Sequence, residues 1–141
     1  MSNSLYIGKY IYNALVKNGI QAKIYRIIAD SNAKYPFIIY RRSGLVTTTT
    51  KDGITYDDVD VEIVVESDKY ADGLDLTDKV RSILTKENQE YGGIQVEEAR
   101  VMASSEDFID NEGFIQRMTI TFRILNLPKI RKQSQWQSQL Q

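Results

Sequence analysis

Apolar residues recur along the chain with two different periods, which predict two helices and several strands. Residues 4–18 and 68–87 carry apolar side chains at about every fourth position, the spacing of one face of a helix. In the first segment these positions are Ile7, Ile11 and Leu15. Ser2 or Ser4 can cap the start of this helix, and Gly19 suits a left-handed helix end.

The strand pattern is clearest at residues 58–66, where apolar and acidic side chains alternate. The apolar positions are Val59, Val61, Ile63 and Val65, and the acidic positions are Asp58, Asp60, Glu62 and Glu66. Such a strand buries one face and leaves the other polar. β-Branched and aromatic residues predict further strands at residues 22–28, 37–40, 94–102 and 114–125, and residues 104–113 are predicted to be a polar loop. The strand at residues 22–28 is apolar on both faces and should be largely covered. Gly92 and Gly93 are expected to end the second helix, and a bulge after Glu97 and Glu98 is expected to restore the register of the strand that follows.

Residues 43–57 interrupt the periodic pattern. Their centre consists of Thr47, Thr48, Thr49, Thr50, Lys51, Asp52 and Gly53. Asp-Gly is a common turn between two strands, so we expect either a protruding hairpin or a mobile arm outside the core. A connection of this length is more often functional than filler.

The order of the predicted elements is helix, strand, strand, arm, strand, helix, strand, strand. This order predicts an α+β fold with a mixed, mainly antiparallel sheet of about five strands and both helices packed on one face. The chain has 141 residues, which is room for one domain. We place that domain at residues 1–127, followed by a flexible, basic and Gln-rich tail at residues 128–141.

The composition restricts the chemistry of the chain. It contains no histidine and no cysteine, which removes imidazole catalysis, thiol nucleophiles, disulfides and the usual zinc and haem ligands. The net charge is -1, so no overall positive field attracts nucleic acid or anionic lipid. Because no apolar run could span a bilayer and no secretion signal is recognisable, we expect a soluble protein that is intracellular when made.

The acidic face of the strand at residues 58–66 is the first candidate site. Alternate positions bring Asp58, Asp60 and Glu62 to one side, within reach of a hard cation such as magnesium. A nuclease would normally add a lysine or a further acid from another element, and no motif in the sequence supplies one. A solvated or subunit-facing surface is therefore the favoured interpretation.

The tail is the second candidate site. It contains Lys129, Arg131, Lys132 and Trp136, whereas all 19 acidic residues of the chain lie before it. These side chains could neutralise and stack on single-stranded nucleic acid, but they form a small footprint. A segment that orders on a protein partner, or that remains disordered, is favoured.

Several segments together carry a resemblance to a known family. They are the helix end Asn18-Gly19, the stretch Tyr35-Pro36-Phe37-Ile38-Ile39, the strand at residues 60–65, the helix at residues 78–84, and the closing strands at residues 96–102 and 116–124 around the turn at residues 110–113. Over residues 4–125 the chain resembles the tail-completion or tail-terminator proteins of siphophages and prophages, which join the tail to the head.

This resemblance implies a non-enzymatic virion protein that needs no cofactor. It closes into a ring, often a hexamer, that caps the tail tube at the head-tail joint after assembly in the host cytoplasm. The implied partners are copies of itself, the tail-tube protein, a head-completion protein and passing DNA that is not bound sequence-specifically; no membrane is implied.

On this interpretation residues 47–53 belong to an arm that orders against neighbouring subunits, and Asp58, Asp60 and Glu62 face the lumen or a subunit interface. Two alternatives stay open: a metal-dependent nuclease or hydrolase that uses this acidic face, and a small adaptor that binds a partner through the tail.

Overall fold

The computed structural model describes residues 3–109 and 113–126. A 3-10 turn at Ser4–Tyr6 leads into helix α1, Ile7–Lys17, and helix α2 is Tyr70–Leu84. The strands are β1 Lys23–Arg26, β2 Phe37–Thr49, β3 Thr55–Ser67, β4 Gln89–Tyr91, β5 Ile94–Val96, β6 Glu98–Ile109 and β7 Gly113–Asn126. Neither of these helices has the length and apolar character needed to cross a membrane.

Five strands form one mixed sheet in the order β1-β2-β3-β7-β6, and β4 and β5 form a separate hairpin. β1 runs parallel to β2, and the other neighbouring pairs of the large sheet are antiparallel. The predicted α+β fold with two helices and a mixed five-stranded sheet is therefore confirmed. β1 and β6 are the two edges of the sheet.

The hydrophobic core lies between the large sheet and the two helices. The inward side chains of β3 are fully buried, as the alternation at residues 58–66 predicted, and so are Ile120 and Phe122 of β7. Tyr10 of α1 is also fully buried, and the centroid of its ring lies 5.4 Å from that of Tyr91 and 5.8 Å from that of Phe122. These edge-on contacts stabilise the packing beyond the buried area alone.

The two ends of α1 show one prediction confirmed and one wrong. Gly19 has a φ of 87°, its N–H donates to the carbonyl of Val16, and the N–H of Ile20 donates to that of Leu15. This pair of bonds is the Schellman helix end that the position of Gly19 predicted. Ser4, in contrast, does not cap the helix, because its hydroxyl donates to Asp57 on β3. Ser2, the other predicted cap, lies outside the described residues.

β1 is shorter than the predicted strand at residues 22–28. Ile27 has a φ of 71°, and the N–H of Ile28 donates to the carbonyl of Arg26, so the chain turns sharply out of the sheet. Both isoleucines are exposed, although apolar residues at these positions were expected to be covered. The chain then returns through a cis Tyr35-Pro36 peptide to begin β2 beside β1, which makes this pair parallel.

Three predictions for the second half of the fold are wrong. Gly92 and Gly93 do not end α2 but form the turn of the β4–β5 hairpin, which was not predicted. Residues 104–109, predicted as loop, continue β6 and pair with β7; they are exposed on both faces, so no apolar alternation marks them as strand. The bulge expected after Glu97 and Glu98 lies instead between Val101 and Ala103.

Candidate functional site

The face of the large sheet opposite the helices carries the acidic row that the sequence singled out. The alternation along β3 turns Asp58, Asp60 and Glu62 away from the core, and all three are half-buried. β7 and β2 flank β3 in antiparallel register, so their outward side chains lie beside this row. The predicted position of the three carboxylates on one face is therefore what the structure has.

Asp58 forms the shortest of the ion pairs described on this face. Arg123, directly opposite on β7, donates from Nε to Oδ1 at 3.0 Å and from Nη2 to Oδ2 at 3.1 Å. The guanidinium also lies 4.1 Å from the ring centroid of Tyr56. The hydrogen bonds to Asp58 raise the pKa of Arg123 above its usual value, so the guanidinium stays charged in this pair.

The other two carboxylates have separate partners. Thr121 Oγ1 donates to Asp60 Oδ1 at 2.6 Å, and Arg41 Nη2 lies 3.7 Å from Glu62 Oε1. Further along the same face, Arg117 approaches Asp107 at 3.5 Å and Arg100 approaches Glu98 at 3.9 Å. Most charged side chains on this face are therefore paired, and the negative electrostatic field of the face is weaker than the acidic row alone would produce.

This arrangement does not assemble a set of metal ligands from the acidic row. Each carboxylate is directed to a cation or hydroxyl on a neighbouring strand, and alternate residues along one strand are about 6.6 Å apart. Among residues 3–109 and 113–126 no group of three or more histidine, cysteine, aspartate or glutamate side chains could hold a metal ion. The nuclease alternative consequently gains no support from the geometry of this face.

Residues 47–53, the proposed arm, lie at the end of the β2–β3 hairpin. Thr50 N–H donates to the carbonyl of Ile54, and Gly53, with a φ of 80°, donates back to Thr50. The flanking strands remain part of the large sheet, and Leu45 packs against its core. The expectation that the whole of residues 43–57 lies outside the core is therefore wrong, because only the turn leaves the sheet.

A buried carboxylate anchors the base of this hairpin. Asp57 is only 3% exposed; Thr47 Oγ1 donates to its Oδ1 at 2.5 Å, and Ser4 Oγ donates to its Oδ2 at 2.6 Å. These bonds tie β2 and β3 to the turn that precedes α1. This role of Asp57 was not predicted, although the alternation along β3 places Asp57 on the same inward face as Val59.

The remaining candidate residues are those of the tail, and the structure does not test them. Lys129, Arg131, Lys132 and Trp136 lie outside the described residues.

At the β6–β7 end, Glu106 accepts hydrogen bonds from Gln116 Nε2 at 3.1 Å and from Tyr70 Oη at 2.8 Å, and these bonds lower the pKa of Glu106. Glu106 therefore stays ionised on the surface of the hairpin.

One surface beside β1 was not predicted. Tyr12, which flanks the apolar stripe of α1, is exposed rather than buried, and it lies on the same surface as the exposed Ile27 that follows β1. Val16 and Ile28 are exposed as well. The signal that could have revealed the surface is an apolar arc on α1 wider than one packed face needs.

The fold is similar to a chain in a solved structure described as "Virion of native gene transfer agent (GTA) particle". The superposition covers 82% of this chain and 92% of that chain, with a TM-score of 0.63 and 8% sequence identity. At this identity the likeness shows a shared fold. No model of a protein family matches the sequence, and no curated protein matches it either.

Proposed function

We propose that this chain is a non-enzymatic structural protein of a tailed, virus-like particle, which caps the tail tube as a ring and joins the tail to the head. The observation that carries the proposal is the shared fold with a virion chain over 92% of that chain's length. The resemblance over residues 4–125 to tail-completion proteins independently suggests the same place in a particle. The proposed location is the head-tail joint of the virion, after assembly in the host cytoplasm.

The proposed partners are further copies of this chain, in a ring of often six, together with a tail-tube protein and a head-completion protein. The described features suit such a role, since five of the strands form one continuous sheet, in which β2 and β3 are a long hairpin. A ring of this kind works by shape and needs no histidine, cysteine or metal.

We place the face with Asp58, Asp60 and Glu62 toward the lumen of the ring. Because Arg41 and Arg123 pair with two of these carboxylates, this face presents little net positive charge to a passing polyanion. DNA would then meet a surface of paired charges and hydroxyls and slide without being held. The turn at residues 47–53 would order against a neighbouring subunit or the tube.

The test compares particles made with and without this chain. Electron microscopy of lysates that lack it should show heads without attached tails, and tails of irregular length. Restoring the full-length chain should restore normal tails. Head-attached tails of normal length in the absence of the chain would refute the proposal.

A second measurement addresses the ring itself. The mass of the purified full-length chain is determined alone and after addition of the tail-tube protein, by native mass spectrometry. A closed oligomer that forms on the tube supports the proposal. A chain that stays monomeric and does not associate with the tube contradicts it.

A further inference from the structure

A half-open groove of about 450 Å³ lies at the β1 edge of the large sheet. It is bounded by the first turns of α1 and by the chain around β1 and β2. Its apolar lining includes Leu5, Tyr6, Tyr12 and Ile27, which are 61%, 59%, 48% and 64% exposed. Exposed apolar residues gathered at one edge are typical of an interaction site.

The groove is also basic. Lys9, Arg26, Arg41 and Arg42 line it, and no acidic residue does. Arg41 lies 3.7 Å from Glu62, whereas neither Arg26 nor Arg42 has an ion-pair partner within the described ranges of the chain. The occupant of the groove should therefore bring both apolar and acidic side chains.

The opposite edge of the same sheet has that chemistry. Residues 102–109 of β6 are exposed apart from their pairing with β7, and their outer edge has no strand neighbour among the described residues. Met102, Phe108 and Ile109 are exposed apolar side chains, and Glu106 and Asp107 lie next to Phe108. Among the described residues Asp107 has one cation nearby, Arg117 at 3.5 Å, and its side chain is still 62% exposed; the hydrogen-bond donors of Glu106, Tyr70 and Gln116, carry no charge. This stretch contains no basic residue.

We infer that the groove at the β1 edge binds residues 102–109 of a second copy of this chain, with Phe108 in the apolar part and Glu106 and Asp107 facing Arg26 and Arg42. The inference rests on the ring of the proposed function and identifies the surfaces that close it. Because the two surfaces lie on opposite edges, the contact is head-to-tail, and its repetition closes a ring when the rotation between neighbouring copies divides a full turn, as the proposed function requires.

The sharp turn at Ile27 is part of this surface. A β-branched residue rarely adopts a positive φ, yet Ile27 is held there by the bond from its N–H to the carbonyl of Tyr40 at 2.8 Å. The turn presents the side chain at the groove, where a neighbouring copy would cover it. An exposed apolar residue in an unfavourable conformation fits a contact surface better than a free one.

The first test is cross-linking with the full-length chain in assembled particles. The chain has no native cysteine, so Tyr12→Cys and Phe108→Cys supply the only two thiols of the double variant's own chain. A short bis-maleimide should link it into a ladder of covalent multimers on a denaturing gel, whereas each single variant should stay monomeric. The matched control, Lys79→Cys with Phe108→Cys, puts one thiol on the exposed part of α2 and should give no ladder.

The second test exchanges charge between the two surfaces. The groove variant Arg26→Glu with Arg42→Glu and the edge variant Glu106→Lys with Asp107→Lys should each lose at least about tenfold in the assembled fraction, because like charges then face one another. An equimolar mixture of the two should recover assembly, since each variant restores the other's contact. A control with the same change in charge, Lys79→Glu with Lys86→Glu, should assemble normally.

The outcomes separate this contact from the proposed function. A missing ladder, or a mixture that fails to recover while circular dichroism shows both variants folded, overturns the inference even if the particles still need the chain. A cross-link from Tyr12→Cys to a different protein, or only within one copy, also overturns it. A clear ladder together with normal tails in particles lacking the chain would refute the function and leave the contact standing.

Discussion

The buried hydroxyl of Tyr10 leads to an unusual prediction, which is that its removal stabilises the protein. Tyr10 is fully buried, and within the described part of the chain its Oη has no hydrogen-bond partner. A buried hydroxyl without a partner costs about 1–3 kcal/mol. Tyr10→Phe removes that cost and keeps the ring, together with its contacts with Tyr91 and Phe122.

The expected gain in the free energy of unfolding is therefore about 1–3 kcal/mol, which for a domain of this size raises the melting temperature by about 3–10 °C. Urea unfolding and calorimetry measure both quantities. The matched control is Tyr91→Phe, because Tyr91 Oη accepts a hydrogen bond from Asn18 Nδ2 at 3.0 Å. That variant should lose about 0.5–1 kcal/mol.

The same hydroxyl has a pH signature. Burial, with a smaller contribution from Tyr91, raises the pKa of Tyr10 from 10.0 to about 12. The folded protein therefore keeps this proton longer than the unfolded chain, so its contribution is fully present below pH 10 and is lost as the pH rises toward 12. Between pH 10 and pH 12 the free energy of unfolding of the wild type should fall by about 2 kcal/mol more than that of Tyr10→Phe.

A destabilised Tyr10→Phe variant would refute this reasoning. Such a result would mean that a water molecule satisfies the hydroxyl in solution, since the aromatic contacts are the same in both proteins. Parallel loss of stability by both proteins between pH 10 and pH 12 would equally contradict it, because the burial of Tyr10 is what separates the two curves.

Three further predictions concern the candidate face and the β4–β5 turn. A double-mutant cycle with Asp58→Ala and Arg123→Ala should give a coupling energy of about 1 kcal/mol in urea unfolding, and no coupling would mean that the bidentate pair is not maintained in solution. Magnesium or manganese should not raise the melting temperature; a rise that Asp58→Ala with Asp60→Ala abolishes would favour the nuclease alternative. Gly92→Ala should lower the free energy of unfolding by more than about 1 kcal/mol, and by more than Gly93→Ala does. Both glycines have a positive φ, but of the two only Gly92 would bring the new Cβ against another atom, at 2.8 Å. Equal losses in the two variants would argue against that contact.

The sequence predicted those parts of the fold in which one side of an element is covered and the other is not. The alternation along β3 and the four-residue spacing along α1 record that difference directly, so the buried faces of both elements were predictable. Residues 104–109 and the β4–β5 hairpin were missed because neither carries that contrast over enough residues. Pairing with residues 113–118 of β7, the next strand along the chain, makes residues 104–109 a strand although both of their faces are exposed.

The candidate face could be predicted only in part. The period of a strand was enough to bring Asp58, Asp60 and Glu62 to one side. It could not reveal that Arg123 and Arg41 neutralise two of them, because the register that puts these residues opposite each other joins segments far apart in the chain. The same limit applies to Asp57, whose inward position follows from the alternation but whose partners Ser4 and Thr47 do not.

The sequence by itself determined which chemistry is open to this protein and which face of each main element is apolar, because both depend on residue type and local spacing. Only the tertiary structure decided the order of the strands, the pairing of the charges, the burial of the Tyr10 hydroxyl without a hydrogen-bond partner among the described residues, and the exposure of Ile27. Each of these depends on what packs against a residue from a remote part of the chain, and no local pattern records that.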